Sequence, residues 1–143
     1  MERLSEKIQI DAASLLQTID RLEKYIESLK EIIGQLSERL MEVRAAIDGI
    51  KRVQEGGFGE LMVSIDKHGN SLIRIKGEVE GKAIVHLGLG VYAENGFADA
   101  IKILEGREEL IRSEIDRVSR ELEQRTKEYE RLQGLVYSLA AQK

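Results

Sequence analysis

The residues best spaced to do chemistry lie in a glycine-rich stretch, AIVHLGLGVYAENGF, at positions 83–97. Gly88, Gly90 and Ala93 match the G-x-G-x-x-G/A spacing with which a strand-to-helix turn cradles a dinucleotide pyrophosphate. That chemistry needs a helix opening at the third small residue, with its N-terminal amides facing the phosphates. Here Glu94, Asn95 and Gly96 follow Ala93, and the next helical pattern starts near Phe97. The acidic partner expected about 20 positions on falls at Glu108 and Glu109, inside a heptad helix rather than at a strand end. The spacing therefore predicts no nucleotide site. Gly88 and Gly90 are assigned to a tight turn between strands, where positive φ is cheap only for glycine. A strand bending through a barrel corner would use them equally well.

Other chemistry is sparse. His68 and His86 are the only histidines, and neither has a second histidine or a carboxylate at ligand spacing. They read as a turn residue and a strand residue. Cysteine is absent, which excludes disulfides and thiolate metal sites. No Ser/His/Asp arrangement stands out from the surface charge, so the expectation is a protein that is not an enzyme and holds no cofactor and no metal. With 22 basic against 26 acidic residues there is no basic excess to neutralise phosphates, and no nucleic-acid partner is expected. No apolar run approaches the roughly 18 residues of a membrane span. The start, MERLSEKIQI, is too charged for a signal peptide. A cytoplasmic protein that does not engage membranes is expected.

The elements that position these residues follow from periodicity. From Ile8 the apolar positions run Ala12, Leu15, Ile19, Leu22, Ile26, Leu29, Ile33, Leu36, Leu40, Val43, Ile47 and Ile50. Spacings of four and three alternate over about six heptads, the signature of a coiled-coil seam. No proline interrupts it. Phe97, Ile101, Leu104, Ile111, Ile115, Val118, Leu122, Tyr129, Leu132, Val136 and Leu139 repeat the pattern, with Glu108 and Arg125 at two positions where apolar residues are expected. Polar groups there either fix register at a cost in stability or snorkel outward.

Nine of the 13 glycines fall between Gly56 and Gly96, where the period changes to two. Leu61, Val63 and Ile65 alternate with polar or flexible residues; the turn DKHGN follows. Ile73, Ile75 and Val79 form a second strand, and EGK turns again. Ala83, Val85 and Leu87 make one face of a third strand, and Val91–Glu94 a short fourth. The order predicts an α+β, mostly α, fold: a single domain with helix 1–55, two β-hairpins in 56–96 and helix 97–143. The Ile and Leu pattern of the first helix would suit a parallel dimer. A second seam in the same chain is nevertheless a partner at higher effective concentration, which favours an antiparallel two-helix coiled coil with hairpins at its elbow.

AIVHLGLGVYAENGFADAIKIL resembles the prefoldin alpha-subunit pattern: apolar strand, Gly-x-Gly, second strand, short polar stretch, then a coiled-coil helix. In architecture the resemblance covers the whole chain, and room for two hairpins matches alpha rather than beta subunits. It implies an ATP-independent co-chaperone in which two alpha-type and four beta-type subunits join their hairpins into a β-barrel hub. The coiled coils then hang as tentacles whose tips capture unfolded clients and pass them to a group II chaperonin. On this reading Leu61, Val63, Ile65, Ile73, Ile75, Ile84, Leu87 and Val91 serve subunit assembly, since short hairpins cannot cover their own edges. Leu4, Ile8, Leu15, Leu16, Leu132, Leu135, Val136 and Leu139 lie at the arm ends and are the client-binding candidates; on sequence alone, ordinary fraying ends fit them as well. The alternative function is a structural scaffold or filament built from the same hairpins.

Overall fold

A computed structural model describes the backbone of residues 2–56 and 59–141, and the side chains of 12–56 and 60–141. Helix α1 spans Glu2–Gly56 and helix α2 Phe97–Ala141. Between them lie β1 (Gly59–Ser64), β2 (Leu72–Gly77), β3 (Lys82–Gly88) and β4 (Val91–Gly96). The helix, two-hairpin, helix order expected from periodicity is the observed one. The strands form two separate two-stranded antiparallel sheets, β1–β2 and β3–β4.

The helices are long because nothing in the sequence stops them: no proline occurs, and α1 ends where the chain reaches Gly56-Gly57. Every seam position from Ala12 to Ile50, and every one from Phe97 to Leu139, is buried or half-buried. The heptad stripe is thus the contact surface.

Packing divides the chain into two units. In the first, α1 up to Arg39 pairs with α2 from Ile111 onward. Leu22, Ile26 and Leu132 form its buried centre, with Leu15, Ile19, Leu122 and Tyr129 around them. The Tyr25 hydroxyl donates a hydrogen bond across the seam to the Glu121 carboxylate, and that bond holds the phenol in its neutral form, raising its pKa. In the second unit, Leu40–Leu110, the core is Ile47, Val85, Ala100 and Leu104, flanked by Val43, Ile50, Ala83, Ile101 and Ile103. There Arg44 of α1 faces Glu108 of α2 at 3.6 Å, while Ile47, further along α1, packs with Ala100 and Leu104, earlier in α2. The helices therefore run antiparallel, and the parallel-dimer pattern of α1 is overridden by the partner helix in the same chain.

Of the two polar seam residues, Glu108 keeps only 19 % of its side chain exposed and ion-pairs with Arg44. Arg125 pairs along its own helix with Glu128 at 2.6 Å. A half-buried ion pair recovers little beyond its own desolvation. Replacing Glu108 by leucine is expected to raise stability by about 1 kcal/mol, read as a higher denaturation midpoint by circular dichroism with unchanged helical signal. A lower midpoint would show that the pair holds the seam rather than merely tolerating it.

Candidate functional site

The two hairpins differ in how they are held. In the second, Val85 pairs with Ala93 and Ala83 with Asn95, and this face turns inward: Val85 is 4 % exposed and packs on Ile47, Ala100 and Leu104. The Arg107 guanidinium of α2 donates to the His86 carbonyl, tying β3 to the helix. The outer face carries Ile84 opposite Glu94 and His86 opposite Tyr92. The His86 and Tyr92 rings lie 4.8 Å apart, within the range of a favourable aromatic contact.

Leu87 corrects the sequence reading. Three alternating residues, Ala83, Val85 and Leu87, were expected on one face. The register instead shifts between His86 and Gly88, leaving Leu87 unpaired in a β-bulge and exposed. A bulge inserts one residue against the partner strand and reverses the alternation beyond it. The turn that follows is the one expected at the glycine pair. Leu89 and Gly90 are its two central residues, with φ of 52° and 75°, the left-handed pair of a type I′ hairpin. Leucine in that region costs about 1 kcal/mol.

Hairpin one has no buried residue at all among its described positions: β2 is exposed along its whole length. Leu61 pairs with Ile75 and Val63 with Ile73, so by strand alternation these four share one face, and all are exposed. The opposite face carries the Arg74–Glu60 ion pair at 2.9 Å, with Met62, Ser64, Leu72 and Lys76. Two boundaries differ from expectation. β1 stops at Ser64, so Ile65 lies just beyond it, and β2 stops at Gly77, which leaves Val79 half-buried in the linker.

A carboxylate that sequence reasoning did not single out holds the hairpin-one turn. Asp66 Oδ2 accepts from the amides of Asn70 (3.2 Å) and His68 (3.3 Å) and from Asn70 Nδ2 (2.8 Å). Its Oδ1 accepts from the Ser71 amide at 3.1 Å. These donors, the Asn70 amide foremost and then that of Ser71, hold its pKa below the usual carboxylate range. The signal was present in DKHGN, because Asp at the start of a turn bonds the amides that follow.

All eight assembly candidates, Leu61, Val63, Ile65, Ile73, Ile75, Ile84, Leu87 and Val91, are exposed, Ile84 the most at 72 %. The arm-end candidates are divided. Leu16 and Leu135 are exposed, as is Tyr137 beside them. Leu15, Val136 and Leu139 are half-buried, and Leu132 is buried in the seam. The side chains of Leu4 and Ile8 lie outside the described residues. No cluster of three metal-ligating residues occurs among the described residues, and no described helix is long and apolar enough to cross a membrane.

The prefoldin subunit family model matches residues 22–141. The chain belongs to the prefoldin family. Among its relatives, prefoldin subunit alpha of Sulfurisphaera tokodaii is 27% identical over 135 residues, covering 94% of this chain and 88% of that protein. Prefoldin subunit alpha of Saccharolobus islandicus is 33% identical over 118 residues, covering 82% and 80%. The fold is similar to that in the cryo-EM structure of filamentous PFD from Methanocaldococcus jannaschii, with TM-score 0.70 and 19% identity over 82% of this chain and 97% of that one. Gly88 and Gly90 thus lie at the turn of a hairpin in a prefoldin chain, within a family of chaperones.

Because the folded Asp66 pKa is lowered, its contribution is present above the unfolded value of about 4 and is lost as pH falls through the folded one. Cross-strand NOEs between Val63 and Ile73 are expected to weaken below about pH 4 before those between Val85 and Ala93. In Asp66→Asn they are expected to be weaker at neutral pH and flat across the same range. An acid response unchanged in that variant would assign it to another carboxylate.

Proposed function

We propose that this chain is a prefoldin alpha-type chaperone subunit that joins beta-type subunits through its hairpins and captures unfolded polypeptide without ATP. One observation carries the assembly half: the paired residues Leu61–Ile75 and Val63–Ile73 form an apolar face that is left exposed among the described residues. Two-stranded hairpins are marginal in water and gain stability when further strands or a second apolar face are added. A partner's hairpins supply both. The arrangement that follows for this family member is two alpha-type with four beta-type subunits around a β-barrel hub, handing clients to a group II chaperonin.

Client capture rests on the arm ends. Leu16 and Leu135 are exposed on long charged helices. Several such contacts, each weak, add by multivalency and release readily. Leu132 and Leu15 contribute from within the seam, and Leu4, Ile8, Val136 and Leu139 extend the apolar supply toward both ends. A scaffold or filament is the second reading; the filamentous assembly of the similar M. jannaschii protein favours it.

Two experiments test the halves separately. Val63→Lys or Ile75→Asp would bury an unpaired charge on assembly, at a cost of several kcal/mol. Either is expected to abolish the complex with a prefoldin subunit beta while leaving helical content unchanged; light scattering that shows the wild-type size for both variants would rule out the hairpin face as the joint. Removing residues 134–143 is expected to leave that complex intact and to cut suppression of aggregation of a heat-denatured test protein by more than about half, the weight of several lost apolar contacts. Full protection by the truncated complex would move client binding elsewhere and favour the scaffold.

A further inference from the structure

The chain has two asparagines, Asn70 before Ser71 and Asn95 before Gly96. An asparagine deamidates when the backbone nitrogen of the next residue attacks its side-chain carbonyl carbon. Whatever restrains that nitrogen and the side-chain amide therefore sets its lifetime. At Asn70 both are held. Its Nδ2 donates to Asp66 Oδ2 at 2.8 Å, and the Ser71 amide, which would have to attack, donates to Asp66 Oδ1 at 3.1 Å. Cyclisation there must give up both bonds.

Asn95 is the opposite case. It is half-buried, and its Nδ2 is buried with no hydrogen-bond partner among the described residues. Nothing fixes that amide, and burial without a partner raises its energy. The attacking nitrogen belongs to Gly96, which has no Cβ to hinder the approach. The phase of the ladder also leaves this nitrogen unheld. The Phe97 amide donates to the Gly81 carbonyl at 3.1 Å, which makes these two a bonded pair continuing the β3–β4 register. Bonded and non-bonded pairs alternate in an antiparallel ladder. The next pair, Lys82 with Gly96, is thus non-bonded, and the Gly96 amide points away from β3. No other described strand pairs with β4, so no second ladder takes it up.

We infer that Asn95–Gly96 is a site of spontaneous backbone modification, at which the fold leaves deamidation unrestrained while Asp66 suppresses it at Asn70. The Gly96 nitrogen, its proton taken by hydroxide, bonds to Asn95 Cγ. The Cγ–Nδ2 bond breaks, and Nδ2 takes a proton from water and leaves as ammonia, regenerating hydroxide. Water then opens the succinimide ring at either carbonyl, giving aspartate or, with the chain rerouted through the side chain, isoaspartate. Both products act where the second hairpin is seated. Asn95 stands opposite Ala83, which packs on the core of Ile47, Val85, Ala100 and Leu104. A carboxylate in that half-buried position is poorly solvated. Isoaspartate also adds a methylene to the backbone at the joint between β4 and α2.

The test ages the full chain in mildly alkaline buffer, folded and in denaturing urea. Both asparagines are followed by peptide mass spectrometry, and isoaspartate by enzymatic methylation. Folding is expected to slow Asn70 by about tenfold relative to urea, the weight of one ordinary hydrogen bond lost on cyclisation, and to slow Asn95 by less. Equal protection of the two sites, or stronger protection at Asn95, overturns the inference. In Asp66→Ala, Asn70 is expected to convert at its urea rate with Asn95 unchanged; an Asn70 still protected there removes Asp66 from its role. Hydrogen exchange reads the consequence. Amides of β3 and β4 are expected to lose protection in step with conversion at Asn95, while those of β1 and β2 keep theirs. Asn95→Ser, aged alongside, is expected to keep both. Unchanged β3–β4 protection in a fully converted chain overturns the link from this site to the seating of the hairpin.

Discussion

A two-stranded sheet has two faces and two open edges, and this chain has two such sheets with little to cover them. The core of the hairpin unit is spent on one face of one hairpin, where Val85 meets Ile47, Ala100 and Leu104. Hairpin one receives nothing: its apolar pairs stay in water while its other face is occupied by an ion pair and mixed polar groups. Most of what is distinctive about the molecule follows from that shortage of cover. The helices spend most of their apolar side chains on a narrow stripe, and with aromatics at 4% there are few large side chains to enclose the sheets.

The hairpins are accordingly held by different means. The second is anchored by packing and by the Arg107 bond to the His86 carbonyl. The first relies on its own backbone ladder and on one carboxylate, Asp66, which collects four donors across the turn. Local order of this kind shapes a hairpin without burying it. The apolar face is presented already in register, and its entropy cost is met before any partner arrives.

The sequence showed the seam clearly, because a heptad stripe is a repeated signal in which one polar residue, such as Glu108, does not disturb the count. The strands were legible from their change of period and from Gly69, Gly81, Gly88 and Gly90, all of which have positive φ. What could not be read was decided by backbone events between elements. The bulge that turns Leu87 outward depends on how the Leu89-Gly90 turn closes, and alternation alone cannot signal a skipped pairing. Val79 fits the phase of a strand, whereas the ladder ends at Gly77. The burial of Leu132 was legible in its heptad position. The Tyr25–Glu121 and Arg44–Glu108 contacts join distant parts of the chain, which no single-helix pattern specifies.

Those two contacts bear on a problem built into any uniform seam. A stripe that repeats every seven residues is close to translationally degenerate: sliding one helix by a heptad again sets apolar against apolar, at a cost limited to the ends. Such a seam defines direction and spacing but is a poor ruler. Tyr25 with Glu121, and Arg44 with Glu108, are incomplete marks. A slide of one repeat sets Tyr25 against Glu114 or Glu128, and in the latter direction Glu108 against Lys51, so that only Arg44, then facing Ile115 or Ile101, loses its counterpart either way. The fixed point that the stripe lacks is the hairpin itself: Val85 packs on Ile47 of one helix and on Ala100 and Leu104 of the other, and no slide of either helix repeats that site.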